Sequence, residues 1–155
     1  MKTVRFVLAA AFASLTTTAF AQIPAEVDVE SVGTIAGSWS YRAVANGSEA
    51  AFSDSSGSRR LILRCDRSRR TISLVRTRVA AAAPALAVWT SSLSKSVPAR
   101  FLPGGELVAD LAASDPLLDA IAFTHGRFAT AAASAPLIAV PPWPDAARVI
   151  EDCRG

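Results

Sequence analysis

From Gly37 onward, turn formers cut the chain into short runs, and within those runs apolar and polar side chains alternate. A period of two places successive side chains on opposite faces of an extended strand. Such a segment buries one face most readily as antiparallel β structure. Asn46-Gly47 predicts a two-residue type I′ turn, because both central positions of that turn need positive φ. Folding about it sets Ala45 opposite Ser48, Ala43 opposite Ala50 and Tyr41 opposite Phe52. Trp39, Tyr41, Ala43, Ala50 and Phe52 then share one face, and Ser40, Arg42 and Ser53 the other. After the turn Asp54-Ser55-Ser56-Gly57-Ser58, a loop at Asp66-Arg67-Ser68-Arg69 joins Arg59–Cys65 to Arg70–Val79. It sets Leu63 opposite Ile72 and Leu61 opposite Leu74, with Cys65 on the same apolar face. The reverse face, with Arg60, Ile62, Arg64, Thr71 and Ser73, reads as mixed and wet. Residues 38–79 are expected to form a four-strand meander.

Beyond it, Ala80–Pro84 reads as a connection, because Pro84 opposes a helix there. Strands are expected at Leu86–Ser92, Ser96–Phe101, Glu106–Leu111, Arg127–Ala132 and Pro136–Val140. Asp115-Pro116 is an N-cap followed by proline at the first helical position, and Leu117, Leu118, Ile121 and Ala122 recur at helical spacing, with Gly126 ending that helix. Pro144 opens a last helix, about residues 144–153. The expected fold is mainly β (α+β), an antiparallel sandwich-like meander with two short helices, the second C-terminal.

The first residues carry a different message. Lys2 and Arg5 precede the apolar run Phe6–Leu15, and Ala19-Phe20-Ala21 offers small residues at the positions a signal peptidase reads. The run would span only ~15 Å as a helix, about half a hydrocarbon core. Residues 1–21 are therefore expected to be a cleaved signal peptide, residues 22–36 an extended arm, and residues 37–155 a single β-rich domain. No membrane span is expected after cleavage. The expected location is the periplasm. Loss of Lys2 and Arg5 reduces 16 Lys plus Arg to 14, against 13 Asp plus Glu, a balance of +1. That balance, with no aromatic residues between the arginines, argues against nucleic acid as a partner.

Two cysteines exist, Cys65 and Cys153. In an oxidising compartment an even pair is most simply one disulfide. A metal site or a catalytic thiol is the alternative, but one histidine and no Cys-x-x-Cys supply neither a ligand set nor an orienting partner. No metal or cofactor is expected.

The densest charge cluster is Arg59, Arg60, Arg64, Arg67, Arg69, Arg70, Arg76 and Arg78, opposed within its own span only by Asp66. One reading is a patch for an anionic ligand, with Arg60, Arg64, Arg67, Arg69 and Arg70 as binding residues. The other is a solvated strand face whose arginine stems cover the sheet. His125, in Thr124-His125-Gly126-Arg127, reads as a turn or capping residue. As a general base it would need a nucleophile that the sequence does not place beside it. No nucleophile elbow, zinc-protease helix or phosphate loop occurs, and no catalytic residue is assigned. Trp39, Trp89 and Trp143 read as core side chains rather than a pocket lining.

Four segments, Gly37–Tyr41, Leu61–Asp66, Asp115–Phe123 and Arg148–Arg154, together resemble a group of small secreted proteins of alphaproteobacteria. The layout is also similar to invasion-associated locus B-like periplasmic proteins, although this chain has fewer cysteines than that pattern. Neither resemblance implies a catalytic residue. The expectation is a non-enzymatic periplasmic domain that binds an envelope protein or an anionic envelope component. A small hydrolase or enzyme inhibitor with a pocket near His125, and a purely structural envelope protein, are the alternatives.

Overall fold

Nine antiparallel strands and two helices make up the computed structural model, which describes residues 26–155. The signal peptide read at residues 1–21 lies outside the described residues, as does the start of the arm. The strands are β1 (Gly37–Val44), β2 (Gly47–Asp54), β3 (Arg59–Asp66), β4 (Thr71–Arg76), β5 (Ala85–Trp89), β6 (Ser94–Leu102), β7 (Glu106–Ala112), β8 (Phe128–Ala132) and β9 (Ala135–Val140). Helix α1 is Pro116–Ala122 and α2 is Pro144–Arg154. The fold is mainly β with two short helices, the second C-terminal.

The strands form one sheet in the order β1-β2-β3-β4-β7-β6-β5-β8-β9. The first four are a meander, as the alternation implies. The loop around Ala80–Pro84 then carries the chain past two positions to β5, and β6 and β7 fold back until β7 pairs with β4. Helix α1 returns the chain to β8, beside β5. The sheet curls until its two ends meet: Thr34 bridges Ala139 of β9, and the Ile35 N–H donates to the Ala139 carbonyl at 3.0 Å. Trp39 meets Phe52 edge-on and stacks on Phe128, with its indole N–H donating to the Pro141 carbonyl at 2.8 Å. The sandwich-like halves are thus one continuous sheet facing itself across Leu61, Leu63, Ile72, Leu74, Leu86 and Leu107.

Both hairpin registers differ by two residues from the expected ones. Trp39 lies opposite Phe52, Tyr41 opposite Ala50 and Ala43 opposite Ser48, so Ala45 and Asn46 occupy the turn. Neither of them has positive φ. Gly47 instead starts β2 at φ 152°, where a Cβ would lie 2.3 Å from the Cys65 carbonyl oxygen. Glycine is needed there for close approach to β3 rather than for a type I′ turn. In the second hairpin Cys65 lies opposite Ile72, Leu63 opposite Leu74 and Leu61 opposite Arg76, which moves the loop to Arg67–Arg70. A shift of two preserves the face of every side chain. The side to which each residue of the two hairpins points therefore came out as the alternation required, while the loop chemistry did not.

Burial in the arginine-bearing strands departs from the expected pattern on both faces. Ile62 is buried with Ala51, Val75 and Val108 on the outer side of the sheet. Arg76 shares the parity of Ile72 and Leu74, faces the core and is 1% exposed. It donates Nη1 to the Arg60 and Thr77 carbonyls and Nη2 to that of Pro136, tying β4 to β9 across one end of the curled sheet. Burial, and secondarily the charge of Arg60, lower its pKa to about 10.

The helices close the other end. The Asp115 carboxylate caps α1 by accepting from the Leu117 N–H at 2.9 Å, with Pro116 at the first turn. This helix ends at Ala122, where the Phe123 N–H returns to Asp119, and Gly126 at φ 69° serves the turn into β8. Helix α2 buries Ala146, Val149, Ile150 and Cys153. Full burial of such a Val or Ile contributes ~1.5–3 kcal/mol. Cys153 is bonded to Cys65, with Cα atoms 5.5 Å apart, which pins α2 to β3. On the far side, Val29 of a short 3-10 turn (Val29–Ser31) packs on Ala87, Trp89, Ala129, Ala131 and Ala139. Among the described residues no helix is long and apolar enough to cross a membrane.

Candidate functional site

The β3–β4 loop is shaped by one carboxylate. Asp66 Oδ1 accepts from the Ser68 hydroxyl at 2.7 Å, the Asn46 amide at 2.8 Å and the Arg69 N–H at 3.1 Å. The Ser68 hydroxyl above all holds the Asp66 pKa below the ordinary carboxylate value. Arg70 adopts φ 48°, a left-handed conformation uncommon outside glycine, and its carbonyl accepts from the Ala113 N–H at 2.8 Å. This local geometry turns the consecutive arginines 69 and 70 toward the end of α2.

There the loop meets residues distant in sequence. Arg70 Nη2 donates to the Arg154 carbonyl at 2.9 Å. Arg154 Nε donates to the Ala113 carbonyl at 2.8 Å and its Nη1 to Asp119 Oδ1 at 2.7 Å. Arg69, Arg70 and Arg154, with Ser114 and Asp119, line an open cleft of about 700 Å³ floored by Ala112 and Ala113. The Arg69 side chain has no hydrogen-bond or ion-pair partner among the described residues. Arg67 lies alongside, its Nε donating to the Asp152 carbonyl at 3.3 Å.

The remaining members of the arginine strip go elsewhere. On the outer face of β1–β3, Arg42, Glu49 and Arg64 lie side by side on adjacent strands. Arg42 Nη2 is 2.6 Å and Arg59 Nη1 3.3 Å from Glu49 Oε1, while Arg64 Nη2 is 2.8 Å from Oε2. Burial pushes the Glu49 pKa up, but hydrogen bonds and charge from Arg64 and Arg42 outweigh it and hold the group ionised below its ordinary value. Arg60 pairs with Asp54 at 3.0 Å. The Ser56 hydroxyl leads the contacts that hold Asp54 down at about 2.

The expected binding residues thus fall in two places. Arg69 and Arg70 line the cleft with Arg67 beside it, whereas Arg60 and Arg64 belong to the outer face. Sequence reasoning did not place Arg154, Ser114 and Asp119 in the cleft, nor Glu49 among the arginines. One signal for Arg154 was available: it follows Cys153, and the cysteine pairing brings it to the loop that follows Cys65.

His125 is exposed in the turn before β8. Its main-chain N–H donates to Ser91 Oγ at 3.0 Å. It borders a shallow hollow of about 270 Å³ shared with Glu30, Gly126 and Arg127. Trp39 and Trp89 are buried away from that hollow, and Trp143 is half-exposed before α2. Among the described residues no three His, Cys, Asp or Glu side chains form a metal-ligand group. Comparison with known protein families, curated proteins and solved structures finds no match.

Proposed function

We propose that this chain is a non-enzymatic periplasmic binding domain that receives the anionic group of a cell-envelope component in the cleft of Arg69, Arg70 and Arg154. The observation that carries the reading is the convergence there of three guanidinium groups from segments 84 residues apart in sequence. Arg154 is neutralised by Asp119, and Arg70 is engaged only by a neutral carbonyl. Arg69 makes no side-chain hydrogen bond or ion pair among the described residues, although its charge acts on Asp66, so its N–H groups remain for an incoming anion. Planar guanidinium groups match carboxylate and phosphate oxygens in bidentate fashion. A cleft of about 700 Å³ suits a headgroup or sugar-sized ligand. The leader-like first 21 residues and the single disulfide support an exported location.

The rival reading, a hydrolase or inhibitor acting through His125, rests on a smaller hollow. Its lining holds an acid and an imidazole but no hydroxyl or thiol.

Calorimetric titration with inorganic pyrophosphate and with citrate separates phosphate from carboxylate preference. Vesicles of phosphatidylglycerol, compared with phosphatidylcholine, test a lipid source. Saturable binding to at least one anion, weakened about tenfold or more in R69Q/R70Q, is expected. No saturable binding, or an unchanged affinity in the variant, would overturn the assignment.

A further inference from the structure

The outer face of β1–β4 and β7 carries a second feature that the cleft does not use. Four residues in cross-strand register, Arg42, Glu49, Arg64 and Ser73, lead to Asp110 on β7. Ser73 donates its hydroxyl to Asp110 Oδ1 at 2.6 Å, and Arg100 pairs with the other oxygen of Asp110. Glu49 is 2% exposed at its side chain, while the three arginines converging on it remain 56%, 47% and 47% exposed. Their stems therefore shield the carboxylate and leave unused N–H groups at the surface. With Arg60 on Asp54 and Arg100 on Asp110, five arginines face three carboxylates, and the surplus cation sits around Glu49.

Among the described residues no helix packs on this face. The apolar face of α2 joins the interior, and the 3-10 turn covers the outer side of β5, β8 and β9. Beneath the arginines, Ile62, Val75 and Val108 are buried by side chains alone. The exposed large apolar residues, Phe101, Phe123 and Trp143, lie elsewhere: Phe101 is in register with core-facing Leu107, and the other two flank helices. Protein interfaces usually centre on buried aromatic or aliphatic anchors. Leu102 of β6 packs, partly exposed, against the cluster, and among the described residues this face holds no exposed aromatic anchor. It offers the guanidinium groups of Arg42 and Arg64, one on each carboxylate oxygen of Glu49 at 2.6 and 2.8 Å, with about half of each side chain exposed.

We infer that the outer face of β1–β3, centred on Arg42 and Arg64 over Glu49, is a docking surface for an anionic polysaccharide. It is independent of the cleft. Glu49 acts as the internal counter-ion that fixes the two guanidinium planes, so that their outward N–H groups meet the carboxylates of the polymer. An acidic sugar polymer fits a polar surface that carries surplus cation and no large exposed apolar side chain among the described residues.

The test is affinity electrophoresis of the folded protein in gels containing polygalacturonate, with neutral dextran as the control matrix. The variant R42Q/E49Q/R64Q removes the buried carboxylate together with two of its three partners, and the remaining Arg59, 47% exposed, is left to solvent rather than buried without a counter-ion. Retardation of the wild type by polygalacturonate, with about a tenfold weaker apparent affinity in this triple variant, is expected. R69Q/R70Q removes more net charge, yet its affinity should stay within about twofold of wild type. R42K/R64K keeps both charges and the fold but not the planar fork, and should lose affinity by a few-fold. Lack of wild-type retardation, loss in R69Q/R70Q equal to or greater than that in the triple variant, or full affinity in either β1–β3 variant would overturn the inference. Equal retention by polyglutamate would overturn the polysaccharide assignment. Because pyrophosphate and citrate probe the cleft separately, failure of one proposal is distinguishable from failure of the other.

Discussion

Arg70 and Arg154 are joined by a hydrogen bond from Nη2 to a main-chain carbonyl, 2.9 Å long and spanning 84 residues of sequence. That contact exists because each arginine stands close behind a tethered position: the β3–β4 loop follows Cys65, and Arg154 follows Cys153. The disulfide therefore constrains both walls of the cleft. Ordering the walls before a ligand arrives reduces what binding must supply.

Removing the disulfide should accordingly affect both stability and binding. The cysteines are 88 residues apart, and closing such a loop in the unfolded chain corresponds to ~4–5 kcal/mol on the entropic account, with ~2–5 kcal/mol usual for native bridges. C65A/C153A is expected to lower the urea midpoint substantially. Under conditions where it remains folded, it should bind cleft anions several-fold more weakly. An unchanged affinity in the folded variant would show that α2 holds Arg154 without the bridge.

Glu49 makes the molecule acid-sensitive in a defined direction. A carboxylate whose pKa is depressed on folding stabilises the native state at pH above its unfolded value, here about 4.5, and loses that contribution as pH falls through the folded value. Denaturation midpoints should fall as pH drops below about 4.5, and more gradually in E49Q. Asp54, Asp66, Asp115 and Asp152 are lowered as well, so E49Q should reduce the slope without abolishing it. Identical slopes for E49Q and wild type in urea melts at stepped pH would remove Glu49 from this role.

Gly47 shows what the sequence disclosed and what it withheld. Period-two alternation identified the four-strand meander, because burial of one sheet face imposes that pattern whatever the exact register. It also put Cys65 on the core face, where Cys153 reaches it. Register itself depended on whether Gly47 was wanted for turn geometry or for close approach to the Cys65 carbonyl, and only neighbouring β3 decides that. The cleft was half legible for the same reason: Arg69 and Arg70 stand out in a local window, whereas Ser114, Asp119 and Arg154 join them through tertiary contacts. G47A should lose at least ~2 kcal/mol in urea unfolding, since its Cβ would meet backbone that cannot yield cheaply. Wild-type stability in G47A would mean that β2 and β3 do not approach so closely.

Arg76 is a buried cation held by three carbonyl groups and by no carboxylate among the described residues. Its planar fork reaches β3 and β9 at once, which the single ammonium of a lysine cannot do at the same positions. R76K should therefore keep the charge, lose bridging hydrogen bonds and destabilise the domain by about 2–3 kcal/mol. Chemical denaturation monitored by tryptophan fluorescence would register this, because Trp39 is packed in the same core. A lysine variant as stable as wild type would mean that the carbonyls find water instead, and that Arg76 does not hold the end of the sheet closed.

His125 offers the sharpest separation of the binding and hydrolase readings. Its side chain is exposed, and the structural bond at this position, to Ser91 Oγ, comes from the main chain, which any non-proline residue retains. H125A is expected to change stability by less than about 0.5 kcal/mol, as for other exposed positions away from special contacts. It should also leave anion binding in the cleft unaltered, because His125 does not line that cleft. If screening against ester, amide and glycoside substrates revealed turnover that H125A abolished while thermal stability stayed constant, the hollow beside Glu30 would become the active site and the arginine cleft an accessory to it.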